Sequence, residues 1–290
     1  VEAAERAIYH AGIDKGEIDA VTVGTESNPY AVYPVAVCVT DACGINPYNN
    51  SFDVEFACKA ATSQVALAYG AIKAGVYRNA LIIGADNSQA KPGDPLDYSV
   101  GAGSAALVMG REGVIATLEN WAHYTSDTPD FYRRDGEKYP AHGGRFTGEQ
   151  AYFRHIINAA KALMEKTGLK PSDFDYFVAH QPNMKFPRSV AKILGFDKEQ
   201  YEPGTIVDYI GNLYAGSTFA GLGAVLDVAK PGERILSVSY GSGAGADAYE
   251  WIVTDEIEAK RERGIPVKDQ IFNPKREYVS YDFYRKSKES

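Results

Sequence analysis

Strands and helices that alternate, and then repeat, predict a layered α/β protein of two related halves, each with a parallel-rich sheet. Three observations carry this. Short apolar strands alternate along the chain with alanine-rich or amphipathic helical stretches. The pattern then returns in register, with Glu26 and His180, Cys58 and Asn212, and Asn79 and Glu233 each 154 residues apart, which marks a duplication. Glycine-led strands starting at residues 101 and 241 close the two halves; their separation of 140 shows that loop lengths have drifted.

The totals fit this reading. A chain of 290 residues, 45% hydrophobic and 23% charged, can bury a large core. A formal charge of −8 argues against a general nucleic-acid binder. The sequence has neither an apolar run of membrane-spanning length nor a signal-peptide pattern at its start. Three cysteines, an odd number, fit a reducing cytoplasm better than a disulfide framework. Cys38 and Cys43 lack a second ligand pair for zinc and read as structural.

Residues 1–11 read as a helix already under way, so a preceding N-terminal strand and helix are expected. Strands follow at 20–25, 51–56, 79–85, 101–110 and 115–121, with helices at 34–43 and 59–74. Residues 122–150 are polar and aromatic; a loop of that length in a compact protein is usually functional. The second half has helices at 151–168 and from 212 to about 229, and strands at 176–179, 205–211, 234–238 and 241–253. Residues 255–290 mix charges with aromatics and read as a solvated tail. The domains are thus 1–120, a loop over the site at 121–150, 151–254 and the tail 255–290.

Cys58 follows the alternating strand SFDVEF and precedes the small-residue helix. A cysteine at a strand-to-helix junction lies near unpaired N–H groups, which favour the thiolate, the nucleophilic form. Alone it could equally be a buried core cysteine. Glu26 could be a solvated carboxylate, His180 a loop histidine and Asn212 a turn residue. Their shared register at strand ends sets these four apart, because ligands bind at that edge of open α/β sheets. His10, His123, His142 and His155 have no comparable setting and read as structural or surface residues.

As an ordered set, VGTES around Glu26, FACKAA around Cys58, HQPNMKFP from His180, GNLYAGS around Asn212 and SYGSGAGAD resemble the 3-hydroxy-3-methylglutaryl-CoA (HMG-CoA) synthases in their short archaeal-type form. The resemblance runs from residue 1 to about 254, without the family's N-terminal segment. It implies the thiolase fold, with two pseudo-symmetric β-α-β-α-β-β halves in an αβαβα arrangement. It also implies an acyltransferase of the mevalonate pathway that condenses acetyl-CoA with acetoacetyl-CoA. Cys58 would carry the acetyl group and Glu26 would take the methyl proton. Backbone N–H groups at Cys58 and Ser242 would hold the enolate, and His180 and Asn212 would polarise the ketone, with His180 the proton donor. Lys185, helped by Arg188, would meet the CoA phosphates; Ser99, Thr147 and Ser242 would contact substrate. No cofactor or metal is implied. A homodimer at least is expected, together with a complex in which a small zinc-ribbon and OB-fold protein joins an acetoacetyl-CoA thiolase, to which the tail's tyrosines could contribute.

Two other readings compete. A β-ketoacyl synthase III-type enzyme shares the fold and a Cys-His-Asn set, but it decarboxylates malonyl groups and needs no carboxylate base, so Glu26 discriminates against it. A non-catalytic scaffolding subunit would have no reason to keep all four polar groups.

Overall fold

The structure, a computed structural model, describes residues 1–289. The first half runs α1 (Glu2–Ala11), β1 (Ile18–Gly24), α2 (Val35–Ala42), β2 (Asn50–Val54), α3 (Gln64–Lys73), β3 (Asn79–Asp86) and β4 (Gly103–Met109). Its sheet has the order β2-β1-β3-β4, with β1 parallel to both β2 and β3 and with β4 antiparallel to β3. The second half begins with β5 (Ala116–Thr128) and the small hairpin β6 (Phe131–Tyr132) and β7 (Ala141–His142). It continues through α4 (Arg154–Thr167), β8 (Tyr176–Ala179), α5 (Phe186–Leu194), α6 (Lys198–Tyr201) and α7 (Val207–Ile210) to α8 (Ser217–Leu226), β9 (Arg234–Val238) and β10 (Gly243–Val253). That sheet has the order β5-β10-β9-β8.

Alternation within the strands explains the layering. In β1, Val21 and Val23 face α1 and α2, packing with Ile8 and Val39, while Ala20 faces the middle of the molecule. There Val65 and Ile72 of α3 meet Phe219 and Val225 of α8, with Ile82 from one sheet and Ile235 and Tyr249 from the other. On the far side Ile156 and Leu163 of α4 and Val190 of α5 cover Phe177 and Leu236. The five layers are therefore helix, sheet, helix, sheet, helix. A cavity of about 1350 Å³ runs along the outer edge of β4, the edge whose counterpart on β10 is paired with β5.

Four expectations change. Residues 205–211 hold the short helix α7 rather than a strand, because Ile206, Val207 and Ile210 fall at helical spacing and Asp208 and Tyr209 face outward. Residues 122–128 extend β5 instead of opening a loop; the polar residues His123, Thr125 and Asp127 occupy its exposed face and mask the alternation. The helix after Cys58 starts at Gln64, and Ala57–Lys59 form a 3₁₀ turn entered at Ala57 with φ 42°. The tail is docked: α9 (Glu256–Arg261) and α10 (Val267–Ile271) bury Ile257 and Ile271. Beyond them α11 (Tyr281–Glu289) lies on the loop after β3, where the Tyr281 hydroxyl donates to Asp97 at 2.7 Å.

Candidate active site

The strand ends meet helix turns through two glycines. A Cβ on Gly24 would lie 2.1 Å from the backbone nitrogen of Ala61, and one on Gly84 would lie 2.3 Å from the carbonyl oxygen of Ala215. Only glycine permits these approaches. They seat the end of β1 on the Cys58 turn and the end of β3 on the segment after Asn212, joining the two halves.

Asp86, at the end of β3, fixes both contacts. Its Oδ1 accepts from the Thr25 hydroxyl at 2.8 Å, the Glu26 N–H at 2.8 Å and the Ser27 hydroxyl at 2.7 Å. Its Oδ2 accepts from the Ala215 N–H at 2.9 Å. Glu26 is thereby held beside Cys58, whose Sγ–H donates to Glu26 Oε2 at 3.6 Å. The other oxygen of Glu26 accepts from Gln89 Nε2 at 2.9 Å. Although Glu26 keeps a partial opening, its carboxyl lies deep among protein atoms. Burial, and then the neighbouring Asp86, push its pKa up to about 8, against the bonds from Cys58 and Gln89 and the charge of Arg133.

Cys58 departs from the sequence reading. It is only 6% exposed. Burial first, and then the carboxylates of Glu26 and Asp86, push its thiol well above the ordinary range, so the resting group is an uncharged thiol. The 3₁₀ turn does not supply the long aligned helix that a depressed pKa would need.

His180 ends β8, its N–H bonded to the Val238 carbonyl at 2.9 Å. Its ring lies 6.4 Å from that of Tyr152 and 6.3 Å from that of Tyr240, and its Nδ1 is buried without a partner. Burial lowers its pKa to about 3, so the imidazole is neutral; that favours a hydrogen-bond donor over the acid read from the sequence. Asn212 pairs its N–H with the Ser99 carbonyl at 2.8 Å, while its Oδ1 accepts from the Tyr214 N–H at 2.8 Å. Among the described residues no hydrogen bond joins His180 or Asn212 to Cys58 or Glu26. Two tyrosines link the pairs. The Tyr240 hydroxyl donates to Asp130 at 2.6 Å beside His180, and Tyr214, next to Asn212, accepts from the Gln89 N–H at 3.2 Å. Both phenols are pushed up, by burial first, and Cys58 contributes to each.

The outer residues divide. Lys185 is exposed and lines a cavity of about 600 Å³ with Ser99, Asn183, Gly211 and Arg276. Arg188 has other work: its guanidinium bonds Glu202 at 2.9 Å and Asp208 at 2.6 Å, so its charge is already matched. Ser242 donates to Asp130 at 3.2 Å, and Thr147 bonds the Gly144 carbonyl within its own turn. His123 and His155 are structural as read, bonded to Asp247 and to Ser126.

Sequence reasoning missed Asp86, Gln89, Asp130 and Gln181. Gln181 is 1% exposed, and its Oε1 accepts from the N–H groups of Ile206 and Val207, fixing α7 beside His180. The repeat register could have found Asp86, since Asp86 and Tyr240 also lie 154 apart at strand ends. Among the described residues no group of three or more His, Cys, Asp or Glu could hold a metal ion.

Models for 3-oxoacyl-[acyl-carrier-protein] synthase III match residues 52–119, and for its C-terminal part residues 164–251. Hydroxymethylglutaryl-CoA synthase of Methanopyrus kandleri is 52% identical over 288 residues, covering 99% of this chain and 82% of the relative. That of Pyrococcus furiosus is 51% identical over 290 residues, with the same coverage of 99% and 82%. The chain belongs to the hydroxymethylglutaryl-CoA synthase family. The resemblance read from the motifs is thus borne out. Among solved structures, MvaS in complex with 3-hydroxy-3-methylglutaryl coenzyme A aligns at TM-score 0.87 and 20% identity, over 99% of this chain and 78% of that one. The Aquifex aeolicus 3-oxoacyl-[acyl-carrier-protein] synthase III aligns at 0.79 and 22% identity, over 86% and 82%. These two likenesses establish the fold, the thiolase fold expected from the sequence.

Proposed function

We propose that this chain condenses acetyl-CoA with acetoacetyl-CoA and water to give HMG-CoA and CoA, with the acetyl group carried on Cys58. The observation that supports it is the buried pair of Cys58 and Glu26, 3.6 Å apart. A nucleophile and a carboxylate base in one site suit a reaction that both loads and deprotonates an acetyl group. The Cys58 sulfur attacks the thioester carbon as its proton leaves, ultimately to the departing CoA sulfur. Glu26 then takes a methyl proton, and backbone N–H groups near Cys58 and Ser242 stabilise the enolate. The enolate carbon attacks the ketone of acetoacetyl-CoA. Neutral His180 and the amide of Asn212 donate hydrogen bonds to the ketone oxygen, and the methyl proton ends on that oxygen. Water cleaves the Cys58 thioester, returning a proton to sulfur.

Lys185 binds a CoA phosphate at the mouth of its cavity, where Ser99 lines the wall; Thr147 lies on the loop over the entrance. The substrates are CoA thioesters, and the residues present perform the steps without a cofactor. We assign the reaction to the mevalonate pathway in the cytoplasm, a compartment that suits three free cysteines. A homodimer, and a complex with an acetoacetyl-CoA thiolase through a small zinc-ribbon and OB-fold protein, complete the assignment. Among the described residues no helix is long and apolar enough to cross a membrane.

The decarboxylating reading is kept in view by the family models that match part of the chain, and Glu26→Gln decides between the two. The variant removes the base while relieving the charge that opposes a Cys58 thiolate. Acetyl loading should persist, and HMG-CoA formation should fall by about 10²–10⁴-fold. Unimpaired HMG-CoA formation, or efficient condensation with a malonyl thioester by the unaltered protein, would overturn the assignment.

A further inference from the structure

We propose that Gln89 is a positioning residue for the condensation step, its carboxamide holding the Glu26 carboxylate in the orientation from which it takes the methyl proton. This rests on the reading of Glu26 as the base. The two Glu26 oxygens have separate neighbours: Oε1 accepts from Gln89 Nε2 at 2.9 Å, and Oε2 faces Cys58 at 3.6 Å. One oxygen is anchored and the other is left toward the sulfur that carries the acetyl group. Without the anchor the carboxylate could turn about its terminal torsion, which is broad and roughly two-fold.

Gln89 is itself held. It is 8% exposed, and its N–H donates to the Tyr214 hydroxyl at 3.2 Å. The loop that carries it is fastened from outside by α11. Tyr281 accepts from the Gly93 N–H at 2.9 Å and donates to Asp97, Tyr284 donates to Asp97 at 3.0 Å, and Lys288 bonds the Ser88 carbonyl. The other ionisable groups around Glu26 are Cys58 on the 3₁₀ turn, Asp86 at the end of β3, Tyr214 from the second half and the more distant Arg133. Asp86 opposes a charge on Glu26, and the bonds from Cys58 and Gln89 favour it; once Cys58 carries the acetyl group its S–H is gone, and the amide of Gln89 is the donor that still favours the ionised, reactive form. A hydrogen bond to an ionised group is stronger than one between neutral groups.

The test compares Gln89→Met, which keeps length and loses the donor, with Gln89→Asn, which keeps the amide one methylene short. Acetyl loading of Cys58 is measured by intact mass, and HMG-CoA formation is followed against pH. Condensation requires ionised Glu26, so its rate rises with pH through the Glu26 pKa. Losing the donor moves that midpoint upward. Gln89→Met is expected to load normally, to lower the condensation kcat about tenfold or more with KM for acetoacetyl-CoA little changed, and to shift the midpoint to higher pH. Gln89→Asn should fall between it and the unaltered protein. If Gln89→Met does not fold, the midpoint of Gln89→Asn carries the test. An unshifted midpoint, or equal losses in loading and condensation, overturns the inference. Glu26→Gln run alongside separates the failures: if it condenses normally, the base assignment falls and this inference with it. If it stalls while the Gln89 variants do not, only this inference falls.

Discussion

Cys58 works against its surroundings. Deep burial, and then the neighbouring acids Glu26 and Asp86, hold it as a thiol, so its reactivity depends on moving the proton during attack instead of on a standing thiolate. Among the described residues neither Cys38 nor Cys43 hydrogen-bonds a carboxylate; their sulfurs face the carbonyls of Pro34 and Val1. Peptide mapping after mixing with acetyl-CoA should therefore find the acetyl group on Cys58 alone, and acetyl on either other cysteine would remove it from its role. Lys185 has a different character, since a contact to phosphate is made equally before and during reaction. Lys185→Ala should raise KM for the CoA substrates severalfold with kcat nearly intact. A large fall in kcat at constant KM would place Lys185 in the chemistry instead. At this scale the sequence was legible where a side chain sat at a strand end in repeat register, as with Glu26, Cys58 and His180. Gln89 was not legible, because its meaning comes from a bond to a residue 63 positions earlier in a loop without periodicity.

Among the elements, β3 has the most demanding contact. Gly84 lies against the backbone of Ala215, so no side-chain rotamer can relieve an added methyl. Gly84→Ala should cost about 1–3 kcal/mol, read as a lower urea midpoint. It should also depress condensation, because the displaced segment carries Asn212 and Tyr214. Unchanged stability would show that the two backbones can part without strain. The elements also show why some were misread. Strands buried on both faces, such as β8 and β9, declare themselves by composition and were placed with the same bounds. Around α7, Ile206, Val207 and Ile210 lie at helical spacing, but a stretch this short between glycines also reads as a strand, and the hydrogen bonds of Gln181 hold the helix start. The tail looked solvated because, apart from Ile257 and Ile271, its contacts are made by tyrosine hydroxyls and lysine, residues that an exposed segment also carries.

Across the whole molecule, a buried ion pair ties the halves beneath Cys58. Lys59 Nζ lies 2.9 Å from Asp247 Oδ2, with both side chains no more than 6% exposed, and His123 bonds the other oxygen at 2.8 Å. Burial alone would push the Asp247 carboxyl up; the bonds from His123 and Lys59 reverse this and hold it below its ordinary value. Lys59→Met leaves Asp247 with His123 and with the longer hydroxyl bonds of Thr62 and Ser239, both 3.4 Å, in a dry site without a lysine charge; it should destabilise the protein by about 3–5 kcal/mol, measured by urea denaturation at neutral pH. A shift under 1 kcal/mol would mean that His123 suffices.

The repeat itself has a consequence for how such chemistry can arise. If two identical halves met about a true two-fold axis, equivalent positions on its two sides would carry the same residue: carboxylate for carboxylate, thiol for thiol. Glu26 opposite His180 and Cys58 opposite Asn212 are pairs that a symmetric dimer of half-chains cannot make. Joining the halves in one chain lets the two sides of the axis change independently. Base, nucleophile and hydrogen-bond donors can then occupy one site only because its two sides are no longer the same.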